Sequence, residues 1–113
     1  MMRSGVYRVD RFEGPGTEVD LKGETPIPAI ARALEFPAWF GGNWDALEDC
    51  LGDLSWRKDA ATVLVFRNFA RGDELGILVD VLSSSAQFWA EQGGSFVAIF
   101  VDPKRELDLP DLP

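Results

Sequence analysis

The chain has 113 residues, with 19 acidic side chains against 11 basic ones, no His and a single Cys. That length gives one domain with one core, and 46% hydrophobic residues with eight Phe, four Trp and one Tyr is the composition of a folded domain, not of a disordered acidic tail. A net charge of −8 lacks the basic footprint of a nucleic-acid binder, the absence of His removes Ser-His-Asp and Cys-His catalysis and His-based zinc sites, and one Cys cannot close an intramolecular disulfide.

Polar residues resume directly after Met1–Gly5, so no signal-peptide apolar region is read there. Val6–Asp10 has the β-rich character of a strand. Arg11–Lys22 contains Gly14-Pro15-Gly16 and reads as a loop, with room for a short extra strand around Glu18 to Leu21. Thr25–Leu34 is a helix by the spacing of Ile27, Ile30, Ala31 and Leu34, with Thr25 as its cap and Pro26 at the first helical position. Trp39-Phe40-Gly41-Gly42 forms an aromatic elbow, and Asn43 is the N-cap of a short helix running to about Leu51. Thr62–Phe66 is a continuous apolar, β-branched run and hence a buried strand. Asp73–Gln92 is a long amphipathic helix carrying Leu75, Leu78, Leu82, Ala86 and Trp89, with Gly76 marking a break or kink and Gly93-Gly94 stopping it. Phe96–Val101 is the last strand; it is also the longest strictly apolar run and far too short to cross a bilayer.

Fully apolar strands alternating with helices predict an α/β domain in which a small three-stranded parallel sheet is covered by helices. Residues 1–113 are read as one domain, with an extended strand and loop over about 1–25 and an acidic, Pro-bearing tail over about 103–113 that is expected to fray. The class that remains is a soluble, cytoplasmic, monomeric protein that binds neither nucleic acid nor membrane.

The informative segment is Leu34–Trp56. It has no Lys or Arg, yet it holds Glu35, Asp45, Glu48, Asp49, Asp53 and three of the four tryptophans. On a helix after Asn43, Asp45 and Asp49 share one face with Glu48 beside them, while Trp44, Leu47, Cys50 and Leu51 take the opposite face and pack on the sheet. Asp45 sits in the first turn, where the helix dipole favours it; Asp49 does not. Like charges at this spacing cost an isolated helix roughly 0.2–0.5 kcal/mol, so stability alone does not select Asp49. Pattern alone also admits a plain solvated face for these acids and core packing for Trp39 and Trp44. Cys50, with nothing basic nearby, reads as a small core hydrophobe. Paired carboxylates could serve a hydrolase or hold Mg²⁺, but no nucleophile motif or metal-loop spacing accompanies them. The expectation is a non-enzyme with no cofactor and no metal.

Leu34 with Pro37, then Trp39-Phe40, Gly41 and Asn43, then Asp45-Ala46-Leu47 and Asp49-Cys50-Leu51, resembles the central segment of the barstar family, bacterial intracellular inhibitors of the secreted ribonuclease barnase. The resemblance covers roughly Pro26 to Val101. It implies a barstar-like fold and an immunity-type role against a barnase-like extracellular ribonuclease or nuclease toxin, whose active site is filled by the elbow and second helix. By position, Asp49 falls on the family's central aspartate, which enters the phosphate pocket, and Asp45 on a second acidic contact. Trp39 replaces a tyrosine that stacks at the active-site entrance, and Gly41 and Asn43 match elbow contacts. The partner-binding set so implied is Trp39, Gly41, Gly42, Asn43, Trp44, Asp45, Glu48 and Asp49.

Several positions depart from the family. Glu48 stands where barstar has a tryptophan, Trp44 replaces an aliphatic residue, and Trp56 follows the helix about two positions late. An acidic contact on barstar's last helix falls here near Gln87-Phe88, with Glu91 one turn on. These departures imply a partner pocket different from that of barnase. The alternative from another class is an acidic adaptor or regulator that binds some other basic protein without inhibiting a nuclease.

Overall fold

In the computed structural model, residues 3–54 and 61–113 are described; Trp56 lies outside them. Strands β1 (Gly5–Val9), β2 (Thr17–Asp20), β3 (Ala61–Arg67) and β4 (Ser95–Val101) and helices α1 (Pro26–Ala33), α2 (Trp44–Asp53) and α3 (Asp73–Glu91) follow one another in the order β1-β2-α1-α2-β3-α3-β4. The sheet is parallel throughout, in the order β1-β4-β3-β2. It therefore has four strands, not the expected three. The stretch read as an optional addition is β2, at the edge beside β3, while β1 forms the opposite edge. β2 is short and buries only Val19, so its sequence carries almost no alternation to read.

The register sets two unlike faces. Val6, Ala98 and Leu64 lie level across the strands, as do Arg8, Phe100 and Phe66, with Val19 next to Phe66. This face meets all three helices through Ile30 and Leu34 near α1, Leu47 and Leu51 of α2, and Leu78 and Leu82 of α3, in one continuous core. The Phe66 and Phe100 rings stack within it, with centroids 4.8 Å apart. The other face carries Val63, Val65, Val97 and Ile99. There the segment joining β1 to β2 crosses from edge to edge, so close that a Cβ on Gly16 would sit 3.0 Å from Val65 and 3.1 Å from Val63. Arg67 holds this segment by donating to the Phe12 carbonyl at 2.6 Å and pairing with Glu18.

Local signals act mostly as read. Thr25 is the α1 N-cap in extended backbone, but its side chain makes no capping hydrogen bond; Pro28, three residues on, has no N–H to offer. α1 ends in a Schellman-type turn, with Phe36 N–H donating to Ala31 O at 2.9 Å and Glu35 in the left-handed region. α3 runs unbroken through Gly76, so the expected position brings no break, and it closes with Gly94 N–H donating to Trp89 O at 2.8 Å.

The tail is a further correction. Asp102, 1% exposed, accepts the N–H groups of Glu106 and Leu107 at 2.9 Å each and turns the chain back. Leu107 and Leu109 then pack on the core. Arg8 N–H donates to Pro110 O at 2.9 Å and Leu112 N–H to Arg8 O at 3.1 Å, so the last residues lie parallel along the free edge of β1. The Arg8 side chain, on the core face of β1, pairs with Asp10 and Asp111, donates to Asp102 O at 2.8 Å and sets Nε 3.9 Å from the Asp102 carboxylate. A tail rich in Asp and Pro is thus pinned by one buried cation instead of fraying, and it covers an edge that would otherwise be open for pairing.

Candidate functional site

After α1 the chain makes the elbow. Phe40 N–H donates to Pro37 O at 3.0 Å, and the Phe36 and Phe40 rings meet edge to face with centroids 4.8 Å apart. Both rings pack on the core, which turns Trp39 outward, 65% exposed. The glycine pair has two separate causes. A Cβ on Gly41 would already touch the Ala46 methyl at 3.4 Å, and Gly42 has φ of +76°, where other residues are strained. Asn43 then starts α2: its Oδ1 accepts from Ala46 N–H at 2.7 Å and its carbonyl from Leu47 N–H at 2.9 Å. The expected cap is therefore present.

α2 extends to Asp53, two residues beyond the expected end, where Leu54 closes it in the left-handed region with its N–H on Cys50 O. Leu47, Cys50 and Leu51 are fully buried and Trp44 is half-buried against the core. By backbone, α2 lies nearest α3 and α1, while Leu47 and Leu51 on its inner face join the core that lies on the sheet. Trp89 of α3 fixes it further, donating Nε1–H to Leu51 O at 2.7 Å. Burial, with Asp53 and Asp49 close by, pushes the Cys50 thiol pKa up, which keeps it protonated and unreactive.

The outer face is left to Asp45, Glu48 and Asp49, all exposed, with Asp53 exposed at its end. None of the four has an ion-pair partner among the described residues. Five carboxylates elsewhere are matched, Glu24 with Arg32, Glu18 with Arg67, and Asp10, Asp102 and Asp111 with Arg8, while Asp73, Glu74, Asp80 and Glu91 of α3 have no ion pair among the described residues either. Among the described residues no group of His, Cys, Asp or Glu is arranged to hold a metal ion, so the Mg²⁺ alternative for Asp45, Glu48 and Asp49 has no geometry behind it. Two clefts of about 400 Å³ each lie elsewhere, one of them beside Arg67, Asn68 and Lys104 at the carboxyl ends of β3 and β4. No helix among the described residues is long and apolar enough to cross a membrane.

The residues singled out in sequence are thus adjacent parts of one exposed surface: an exposed Trp39, a glycine bend, a capped helix start and a row of carboxylates. Trp44 is the exception, since it faces inward and supports the helix. Phe88 of α3, near which the resemblance places a further contact, reaches the end of this surface beside Gly52; local pattern alone does not connect the two.

No curated protein and no solved structure matches the chain. The profile of the family described as Barstar (barnase inhibitor) matches residues 24–101, from the approach to α1 to the end of β4. That range contains the elbow, α2 and α3 and leaves out β1, β2 and the tail clasp. A match over this much of the chain places it in the family, and the protein belongs to the barstar family of barnase inhibitors.

Proposed function

We propose that this protein inhibits a barnase-like ribonuclease by laying the elbow and α2 across the enzyme's active site, one inhibitor monomer to one enzyme. The observation that carries the reading is the α2 face: Asp45, Glu48 and Asp49 stand exposed on a capped, core-anchored helix without a cation partner among the described residues. A ribonuclease site is built to bind phosphates. A fixed carboxylate can take bidentate, charge-assisted hydrogen bonds from the same arginines. Because the helix is already held by Leu47, Leu51 and the Trp89 hydrogen bond, little ordering entropy is lost on docking.

In this reading Asp49 enters the phosphate pocket and Asp45 and Glu48 flank it. Trp39 stacks at the rim, and Gly41, Gly42 and Asn43 bring backbone and the Asn43 amide nitrogen to the partner, since Asn43 Oδ1 is already engaged with Ala46 N–H. A charge of −8 draws in a basic enzyme; such steering is known for the barnase–barstar pair itself and is not particular to this chain. The single-domain inhibitor works in the cytoplasm, as an immunity protein against a secreted nuclease or nuclease toxin.

The test is an inhibition titration against a panel of barnase-like ribonucleases at low and moderate salt. One-to-one inhibition of a panel member, weakened by salt and lost in Asp49→Ala, is the expected result. Glu48 and Phe88 change the chemistry of the face, so barnase itself is expected to be bound weakly; nanomolar binding to barnase would overturn that part. An Asp49→Ala protein that inhibits as well as wild type would overturn the whole reading.

A further inference from the structure

Three large hydrophobic side chains are exposed among the described residues: Trp39, Ile77 and Phe88. Trp39 belongs to the elbow. Phe88 comes from α3, yet its ring edge lies 4.0 Å from where a Cβ on Gly52 of α2 would sit. At about 100° per residue, position 52 points between the directions of Asp45, Glu48 and Asp49. The one acidic-face position of α2 without a side chain is therefore where a ring from another helix moves in. The ring is also fixed: it meets Trp89 edge to face, with centroids 5.6 Å apart, and Trp89 is hydrogen-bonded to Leu51 O.

Resting on the inhibitor reading, we infer that Phe88 is a specificity-determining contact of the same interface, and that the partner ribonuclease carries an apolar side chain beside the basic pocket that receives Asp49. The ring is 42% exposed and abuts the carboxylate row at Gly52, so a partner that covers this face of α2 meets it. Its contribution differs in kind from that of the acids. An apolar contact slows dissociation and is insensitive to salt, whereas the carboxylates accelerate association and are screened. A nuclease with a charged group opposite Phe88 would have to bury that charge against the ring, so the contact selects among enzymes whose phosphate pockets are alike.

Ile77 is the internal control. It is exposed to the same degree, 41%, on the same helix, but lies about 16 Å along the axis from Phe88. The experiment compares wild type, Phe88→Ala, Phe88→Leu and Ile77→Ala against a ribonuclease that the wild type inhibits, reading inhibition and dissociation rate at two salt concentrations. Phe88→Ala is expected to weaken inhibition by about tenfold or more through faster dissociation, with the salt dependence of wild type. Phe88→Leu restores part of the loss, and Ile77→Ala changes nothing. Equal inhibition by Phe88→Ala, with Asp49→Ala defective, overturns this inference and leaves the parent reading standing. Absence of inhibition by the wild type overturns both. A change in self-association of free Phe88→Ala without a change in inhibition would assign the ring to a second copy of this chain and also overturn it.

Discussion

The α2 face and the Arg8 clasp are both built from aspartates, and they use them in opposite ways. Around Arg8, three carboxylates and a backbone carbonyl converge on one buried guanidinium, 2% exposed, which ties β1, the end of β4 and the tail together. On α2 the carboxylates stand in a row, exposed, with no cation among the described residues. Charges matched inside the molecule serve the fold. Charges left unmatched on a rigid element repel one another at a small cost and keep their attraction for something outside. The clasp also lies beyond the family match, which ends at residue 101, while the acidic helix lies within it.

Substitutions should separate the two regions. The largest expected effect is that of Asp49→Ala on inhibition, a loss on the order of a hundredfold or more, because the partner's cations are left unpaired in a desolvated pocket. Its melting temperature should stay close to wild type, since an exposed carboxylate is removed from beside Asp45 and Glu48. Arg8→Leu should do the reverse. It takes the cation away from the buried Asp102, whose side chain is 2% exposed and keeps only the Glu106 and Leu107 N–H groups, and it loosens the tail from β1, lowering the melting temperature by on the order of 10 °C. At a temperature where the variant is folded, its inhibition should match wild type. Paired thermal melts and titrations check both, and a defect of Arg8→Leu in binding alone would break the distinction.

Asn43→Ala tests the junction, since the cap belongs to the fold and to the surface. Losing the bond from Ala46 N–H is expected to cost roughly 1 kcal/mol of stability, readable by chemical denaturation, together with a several-fold loss of inhibition as the first turn loosens under Asp45. Asn43→Asp keeps the acceptor and should restore stability. If it also restores inhibition, Asn43 acts through the cap; if inhibition stays low, its amide nitrogen is itself a contact.

How much of this could be read from the sequence depends on how local the cause is. The elbow and α2 were legible because each signal is within a few residues of its effect: Asn43 caps Ala46, Gly42 carries the positive φ, and Leu47, Cys50 and Leu51 recur at helical spacing. The clasp was not. Arg8 and Asp111 lie at opposite ends of the chain, and an acidic segment with prolines has the composition of a loose end whether or not a buried arginine waits for it. β2 was legible only as an optional short strand for a related reason, because its place in the sheet comes from pairing with β3 and not from its own four residues. The approach of Phe88 to Gly52 depends on how α3 packs on α2, which no window of sequence contains.

The smallest expected effect is on the acid limb of stability. The hydrogen bond from Arg8 holds the Asp111 carboxyl below its usual range, and Asn68 and Arg32 do the same for Asp20 and Glu24. A carboxyl whose pKa is lower folded than unfolded adds stability that is fully present above the unfolded pKa, near 3.8 for Asp, and is lost as pH falls through the folded value. Stability should therefore hold steady from neutral pH to about 5 and decline below about 4. Asp111→Asn should lower the plateau slightly and make the decline shallower, and the change should be modest because Asp111 is more than half exposed and its pairing is screened. Urea titrations of wild type and Asp111→Asn between pH 3 and 7 would show this, and an acid limb identical in the two proteins would mean that the pairing of Asp111 with Arg8 is not where this fold stores its charge-dependent stability.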